Sequence, residues 1–168
     1  MKNKLQNEKG FTLIEMIIYI GIFSMLIGTI LIFLNTISSS RINNQILLEV
    51  NNQGSSVVRI ITSNIQNGIS INNPNMTMGA DTLSIETADT NTNPTIFSTI
   101  NGVLYIKKGT DEEIALTNNK VQISNLIFTN LSRPDTLGVV QIYFKLNGLD
   151  HNNIIYSSDF YGSSSIRK

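Results

Sequence analysis

Hydrophobic and polar positions fall into three successive regimes. After a short hydrophilic leader, Phe11 to Ile37 form an apolar run in which Glu15 and the Tyr19 phenol are the only ionisable side chains. As a helix rising about 1.5 Å per residue, this run reaches roughly 40 Å, more than the ~30 Å hydrocarbon core of a bilayer. It is predicted to span a membrane. From Ser38 the chain turns polar, yet Ile42, Ile46, Leu47, Val50, Val57, Val58, Ile61 and Ile65 recur at helical spacing, interrupted at Gly54. The helix is therefore expected to continue as an amphipathic segment to about Gln66, the alternative being a hinge in the Ser- and Asn-rich stretch 38–44. Asn67-Gly68 is expected to end it, with glycine in the left-handed conformation.

Beyond Gly68 the period changes from 3.6 to 2. Strands are predicted at Ile69 to Ile71, Leu83 to Thr87, Thr95 to Ile100, Val103 to Lys107, Ile114 to Leu116, Val121 to Leu131, Val139 to Leu146 and Ile154 to Tyr161. Asn101-Gly102 is the clearest hairpin turn. Asn72 to Ala80 and Asp89 to Pro94 are Asn/Thr-rich and are expected to be poorly ordered surface loops. The fold class is α+β: a long N-terminal helix, membrane half plus amphipathic half, packed through its Ile42 to Ile65 stripe on an antiparallel β-sheet. The organisation follows as a leader at 1–10, the spanning helix at 11–37, its amphipathic continuation at 38–67 and a β-rich domain at 68–168.

Composition adds less. The chain of 168 residues carries no net charge, but Lys2, Lys4 and Lys9 against Glu8 give the leader a positive balance and leave the remainder slightly acidic. Positive residues flanking a span stay cytoplasmic, and none follows until Arg41, so the amino terminus is expected inside and the domain outside. With no cysteine, that domain must stand on its packed core alone.

Catalytic chemistry has little to stand on, and neither an enzyme nor a cofactor is expected. His151, the single histidine, sits in a polar Asp150-His151-Asn152-Asn153 turn. Asp111-Glu112-Glu113 lacks the alternating ligand spacing of a calcium loop, so no metal site is expected. Lys107 and Lys108 are adjacent on a strand, point to opposite faces and are followed by acids, so direct nucleic-acid contact is not expected either.

An acid inside an apolar span is a hypothesis about function with a partner to be named. A cut after Gly10 would give Phe11 a new ammonium four residues before Glu15, able to pair within the chain or with a neighbour. A secretory signal peptide has an apolar core about half as long as this run, and a plain signal anchor would make Glu15 incidental. Neither explains Gly10, Phe11 and Glu15 together. Lys9-Gly10 followed by Phe11-Thr12-Leu13-Ile14-Glu15 resembles the processing site of type IV prepilins and type II secretion pseudopilins.

That resemblance implies a prepilin peptidase that cleaves between Gly10 and Phe11 and methylates Phe11. It further implies assembly with other pilins or pseudopilins through the N-terminal helix, a membrane assembly platform, and a register contact made by Glu15. Before assembly the chain would sit in membrane lipid as a single-pass protein of the cytoplasmic membrane, and later in an extracytoplasmic filament. Gly21, Ser24 and Gly28 offer small faces for close helix approach, or are simply tolerated there. Many pilins carry a helix-kinking proline where this chain has Ile32, which favours a straighter helix and a minor component. The Arg41- and Arg59-bearing half-helix, the sheet-rich domain and the Ile166-Arg167 ending look most like J-type minor pseudopilins and related tip pilins. The alternative is a filament-tip module that binds secreted substrate, a surface or DNA, which an aromatic patch among Tyr143, Tyr156, Phe160 and Tyr161 would support.

Overall fold

The structure is a computed structural model and describes residues 10–134, 136–150 and 153–167. Among the described residues a single helix, α1, spans Leu13–Gln66. Its apolar half carries hydroxyls that bond within the helix: Ser24, Thr29, Thr36 and Ser40 each donate to a carbonyl one turn back, at 2.7 to 3.0 Å. Such back-bonding satisfies these four hydroxyls without a partner outside the helix. The helix is unbroken through 38–44 and equally at Ile32.

Two compact units divide the chain, one ending at Ile42 and the other beginning at Asn43. In the first, the apolar side chains of α1 are exposed from Leu13 to Leu34, between 42% and 79%. In the second, α1 buries Val50, Gly54, Val57, Ile61 and Ile65. These share one core with both β-sheets.

Among the described residues nine strands follow: β1 Gly68–Asn73, β2 Gly79–Ala80, β3 Leu83–Thr87, β4 Thr95–Ile100, β5 Val103–Lys108, β6 Ile114–Ala115, β7 Val121–Asn130, β8 Val139–Asp150 and β9 Asn153–Ser165. They form two antiparallel sheets rather than the one expected, in the orders β1-β3-β4-β5-β6 and β2-β7-β8-β9. Alternation shows which side chains face inward but does not say which strands share a sheet. Leu83, Ile85, Phe97, Leu104 and Ile106 of the first sheet and Phe128, Ile142, Phe144 and Leu146 of the second all turn into the same interior. The Asn101-Gly102 hairpin forms as predicted, with φ of 53° and 80°, and the Gly102 carbonyl accepts from Ile123 of the other sheet at 2.8 Å.

The last half of α1 and β9 lie side by side in matched register. A Cβ on Gly54 would meet the Phe160 ring, one on Gly162 would touch Val58 at 3.0 Å, and the Ser164 hydroxyl donates to the Thr62 carbonyl at 3.3 Å. Four helical residues advance about 6 Å and two strand residues about 6.7 Å, so the pairs 54/160, 58/162 and 62/164 keep step. The Arg167 amide then closes the series on the Gln66 carbonyl at 3.1 Å.

Three local expectations are corrected by this packing. Gly54 does not interrupt the stripe but belongs to it, as the notch into which the Phe160 ring fits; a Cβ there would lie 2.1 Å from Cζ. Gly68 has no positive φ and does not cap the helix. It starts β1, where a Cβ would lie 2.5 Å from Ile85 Cγ2, and the orphan carbonyl of Gln66 is satisfied by the C-terminal tail instead. The stretch Asn72 to Ala80 is pinned rather than loose. Asn130, buried at the end of β7, donates through Nδ2 to the Pro74 carbonyl at 2.8 Å, and its main chain bonds Thr77 and Met78 at 2.9 and 3.0 Å. Its Oδ1 accepts from the Ser132 amide at 3.0 Å and from the Ser132 hydroxyl.

Candidate functional site

The segment expected to carry function is the start of α1. Gly10, Phe11 and Thr12 are not helical, and the helix begins at Leu13. Thr12 occupies the N-cap. Its carbonyl accepts from the amides of Glu15 and Met16 at 3.1 and 3.3 Å, and its Oγ1 accepts from the Glu15 amide at 3.4 Å. Thr-x-x-Glu is the spacing of a capping box, in which a hydroxyl and an acid share the free amides of the first turn. Glu15 is half-buried where its neighbours are exposed, and as an anion in the first turn it also meets the positive end of the helix. The Phe11 ring turns along the helix and lies 5.8 Å from the Tyr19 ring.

Gly10 and Phe11 thus stand just before the helix and Glu15 in its first turn. Around them lies the exposed apolar part of α1, in which Tyr19, Ile20, Ile22, Phe23 and Leu26 line a shallow groove. No atom lies within 4 Å of where a Cβ would stand on Gly21 or Gly28, so those notches are unfilled by the chain itself. Lys2, Lys4 and Lys9 of the leader, and His151, lie outside the described residues.

The other sequence candidates do not converge. Asp111, Glu112 and Glu113 form an exposed turn, and among the described residues no three of His, Cys, Asp or Glu cluster as metal ligands would. Of the four aromatics, Tyr156 and Phe160 pack against the core, with Phe160 stacked on Phe144 at 5.3 Å. Tyr143 and Tyr161 face outward with rings 5.0 Å apart, Tyr161 being 68% exposed. The Tyr143 hydroxyl donates to Asp159 at 3.1 Å, and this bond to a carboxylate pushes the phenol above its ordinary pKa.

Sequence reasoning passed over two features. Thr12 has no role in the motif as a processing site, although its spacing to Glu15 carries the capping signal. Glu49 accepts from Gln53 Nε2 at 3.0 Å and from Asn118 Nδ2 at 2.6 Å, clasping the β6–β7 turn to α1. The bonds from Gln53 and Asn118, aided by Lys120, hold its carboxyl below the ordinary range against a smaller opposing effect of burial. No local signal pairs residues so far apart in the chain.

The family model described as the prokaryotic N-terminal methylation motif matches residues 5–31. The chain carries that motif. It supports a type IV pilin-like chain, a substrate of prepilin peptidase with a structural rather than an enzymatic role. The long apolar N-terminal helix fits a single-pass membrane anchor. No curated protein and no solved structure matches the chain.

Proposed function

We propose that the protein is a minor structural subunit of a type IV pilus-like or type II secretion pseudopilus filament. The observation that carries this reading is the methylation motif at the head of a helix whose apolar half is exposed and whose polar half is packed into a folded domain. Residues 1–10 are the leader, held in the cytoplasm by its lysines, and prepilin peptidase removes it between Gly10 and Phe11 and methylates Phe11. Residues 11–37 then hold the subunit in the membrane with its domain outside, until an assembly platform lifts them into the filament.

Extraction from lipid exposes a long apolar surface, so assembly is favourable only when neighbouring subunits bury it again. The groove near Tyr19 and the open notches at Gly21 and Gly28 suit such neighbours. Glu15 sets the axial register by pairing with the amino terminus of the adjoining subunit, because a carboxylate left unpaired in an apolar core is strongly disfavoured. The unbroken helix at Ile32 supports a minor over a major pilin, and the Arg41- and Arg59-bearing half-helix with its sheet-rich domain supports a J-type minor pseudopilin or a related minor pilin. A Glu15→Ala variant is expected to be cleaved normally yet to enter filaments poorly, as read by its share in sheared filaments against the membrane pool; normal incorporation would exclude the register role.

The outward-facing Tyr143–Tyr161 pair, with Tyr161 exposed, favours a second reading, in which the domain sits at a filament tip and binds secreted substrate, a surface or DNA. Tyr161→Ser should then leave assembly intact and abolish secretion, adhesion or uptake; wild-type performance in all three would remove this reading.

A further inference from the structure

The Thr12 cap stops α1 two residues beyond the peptide bond assigned to the peptidase. The Thr12 carbonyl accepts from the Glu15 and Met16 amides, as the carbonyl of any N-cap residue does, its Oγ1 alone adds a side-chain bond, to the Glu15 amide at 3.4 Å, and Leu13 is the first helical residue. Gly10, Phe11 and Thr12 consequently have non-helical backbone. Hydrolysis requires this conformation. In a helix the scissile carbonyl is bonded to an amide four residues on and its faces are crowded by the coil, whereas non-helical backbone offers both the carbonyl and its flanks to an enzyme.

The two adjoining residues cannot supply the stop. Phe11 and Leu13 have no acceptor side chain, and the helix-favouring apolar residues that follow would otherwise let the first turn slide toward the leader. Cleavage itself adds water across the Gly10–Phe11 amide: the C–N bond breaks, hydroxide joins the Gly10 carbonyl carbon, and the Phe11 nitrogen leaves as an amine that takes a proton from solvent. Nothing in that balance involves the Thr12 hydroxyl chemically. From these placements we propose that Thr12 is a positioning residue for leader removal, its cap holding the Gly10–Phe11 bond outside the helix. The inference rests on the reading that this bond is the one cut.

Full-length chain in detergent micelles, incubated with purified prepilin peptidase, tests it through the kcat/KM of leader loss followed by intact mass. Thr12→Val keeps the shape of threonine and removes the acceptor; Thr12→Ser and Thr12→Asn keep an acceptor and change the shape. The proposal predicts that the valine variant is cut about fivefold more slowly, the ratio an N-cap of ordinary strength sustains, while serine and asparagine variants stay near wild type. Equal rates for valine and wild type would overturn it. So would a fast valine variant with a slow asparagine variant, which would mean that the enzyme reads side-chain shape. If wild-type chain is not cut after Gly10, the functional reading falls and takes this inference with it, an outcome distinct from the other two. Near-UV circular dichroism of the sheet domain should be the same in all four proteins.

Discussion

Gly54→Ala sets two effects of opposite sign against each other at one position. Alanine is the better helix former by about 1 kcal/mol, so on propensity alone the variant should be more stable. The added Cβ would stand 2.1 Å from Phe160 Cζ and 2.4 Å from both Cε atoms, closer than any real contact. The ring is stacked on Phe144, which is fully buried, and this restrains its retreat. Overpacking of this kind costs typically about 1–3 kcal/mol. The clash should win, leaving a net loss on the order of 1 kcal/mol, which lowers the melting temperature of a domain this size by roughly 5 °C. Thermal unfolding of full-length protein in micelles, followed in the sheet signal, measures it. Gly54→Ala/Phe160→Leu should regain most of the loss by shortening the ring to a branched chain. A melting temperature raised by Gly54→Ala, or a double variant worse than both singles, would refute the notch.

Asn130→Asp keeps the size of the side chain but removes the Nδ2 donor to the Pro74 carbonyl, leaving a buried acceptor without its partner and a buried acid. It should destabilise the domain by about 2–3 kcal/mol in chemical unfolding, and an unchanged midpoint would show that the 74–80 segment is held by other means. Glu49, whose pKa is depressed by Gln53 and Asn118, contributes stability that is present above the ordinary glutamate range and lost as pH falls through its lower folded value. Melting curves of wild type and Glu49→Gln from neutral pH downward should therefore converge below that range; parallel curves would deny the clasp.

The elements read best from sequence were those whose signal is local and periodic. Helix α1 ends at Gln66, where the stripe from Ile42 to Ile65 runs out, and the Asn101-Gly102 turn forms with both residues at positive φ. Gly54 was misread because a hydrophobic pattern scores glycine as a missing side chain, whereas the packing uses that absence to admit a ring. Gly68 was misread for a related reason: its constraint is the closeness of Ile85, not its own backbone angle. Division into two sheets was not legible, since alternation records a residue's face and not its strand's partner. The pinning of 74–80 depends on an asparagine 56 residues away, which no window of sequence contains. At the start of α1 the signal is local: Gly10, Phe11 and Thr12 precede the helix and Glu15 stands in its first turn. The Thr12 cap was also legible there, in a Thr-x-x-Glu spacing that invites reading as motif rather than as physics.

The amino terminus of the protein recovered from cells with a prepilin peptidase is the most direct measurement. Intact mass with N-terminal fragmentation should show residues 1–10 gone and Phe11 first, bearing one added methyl group. A chain that keeps Gly10, or begins at any other residue, would contradict the assignment of this segment as a pilin-type processing site and, with it, the role in a filament.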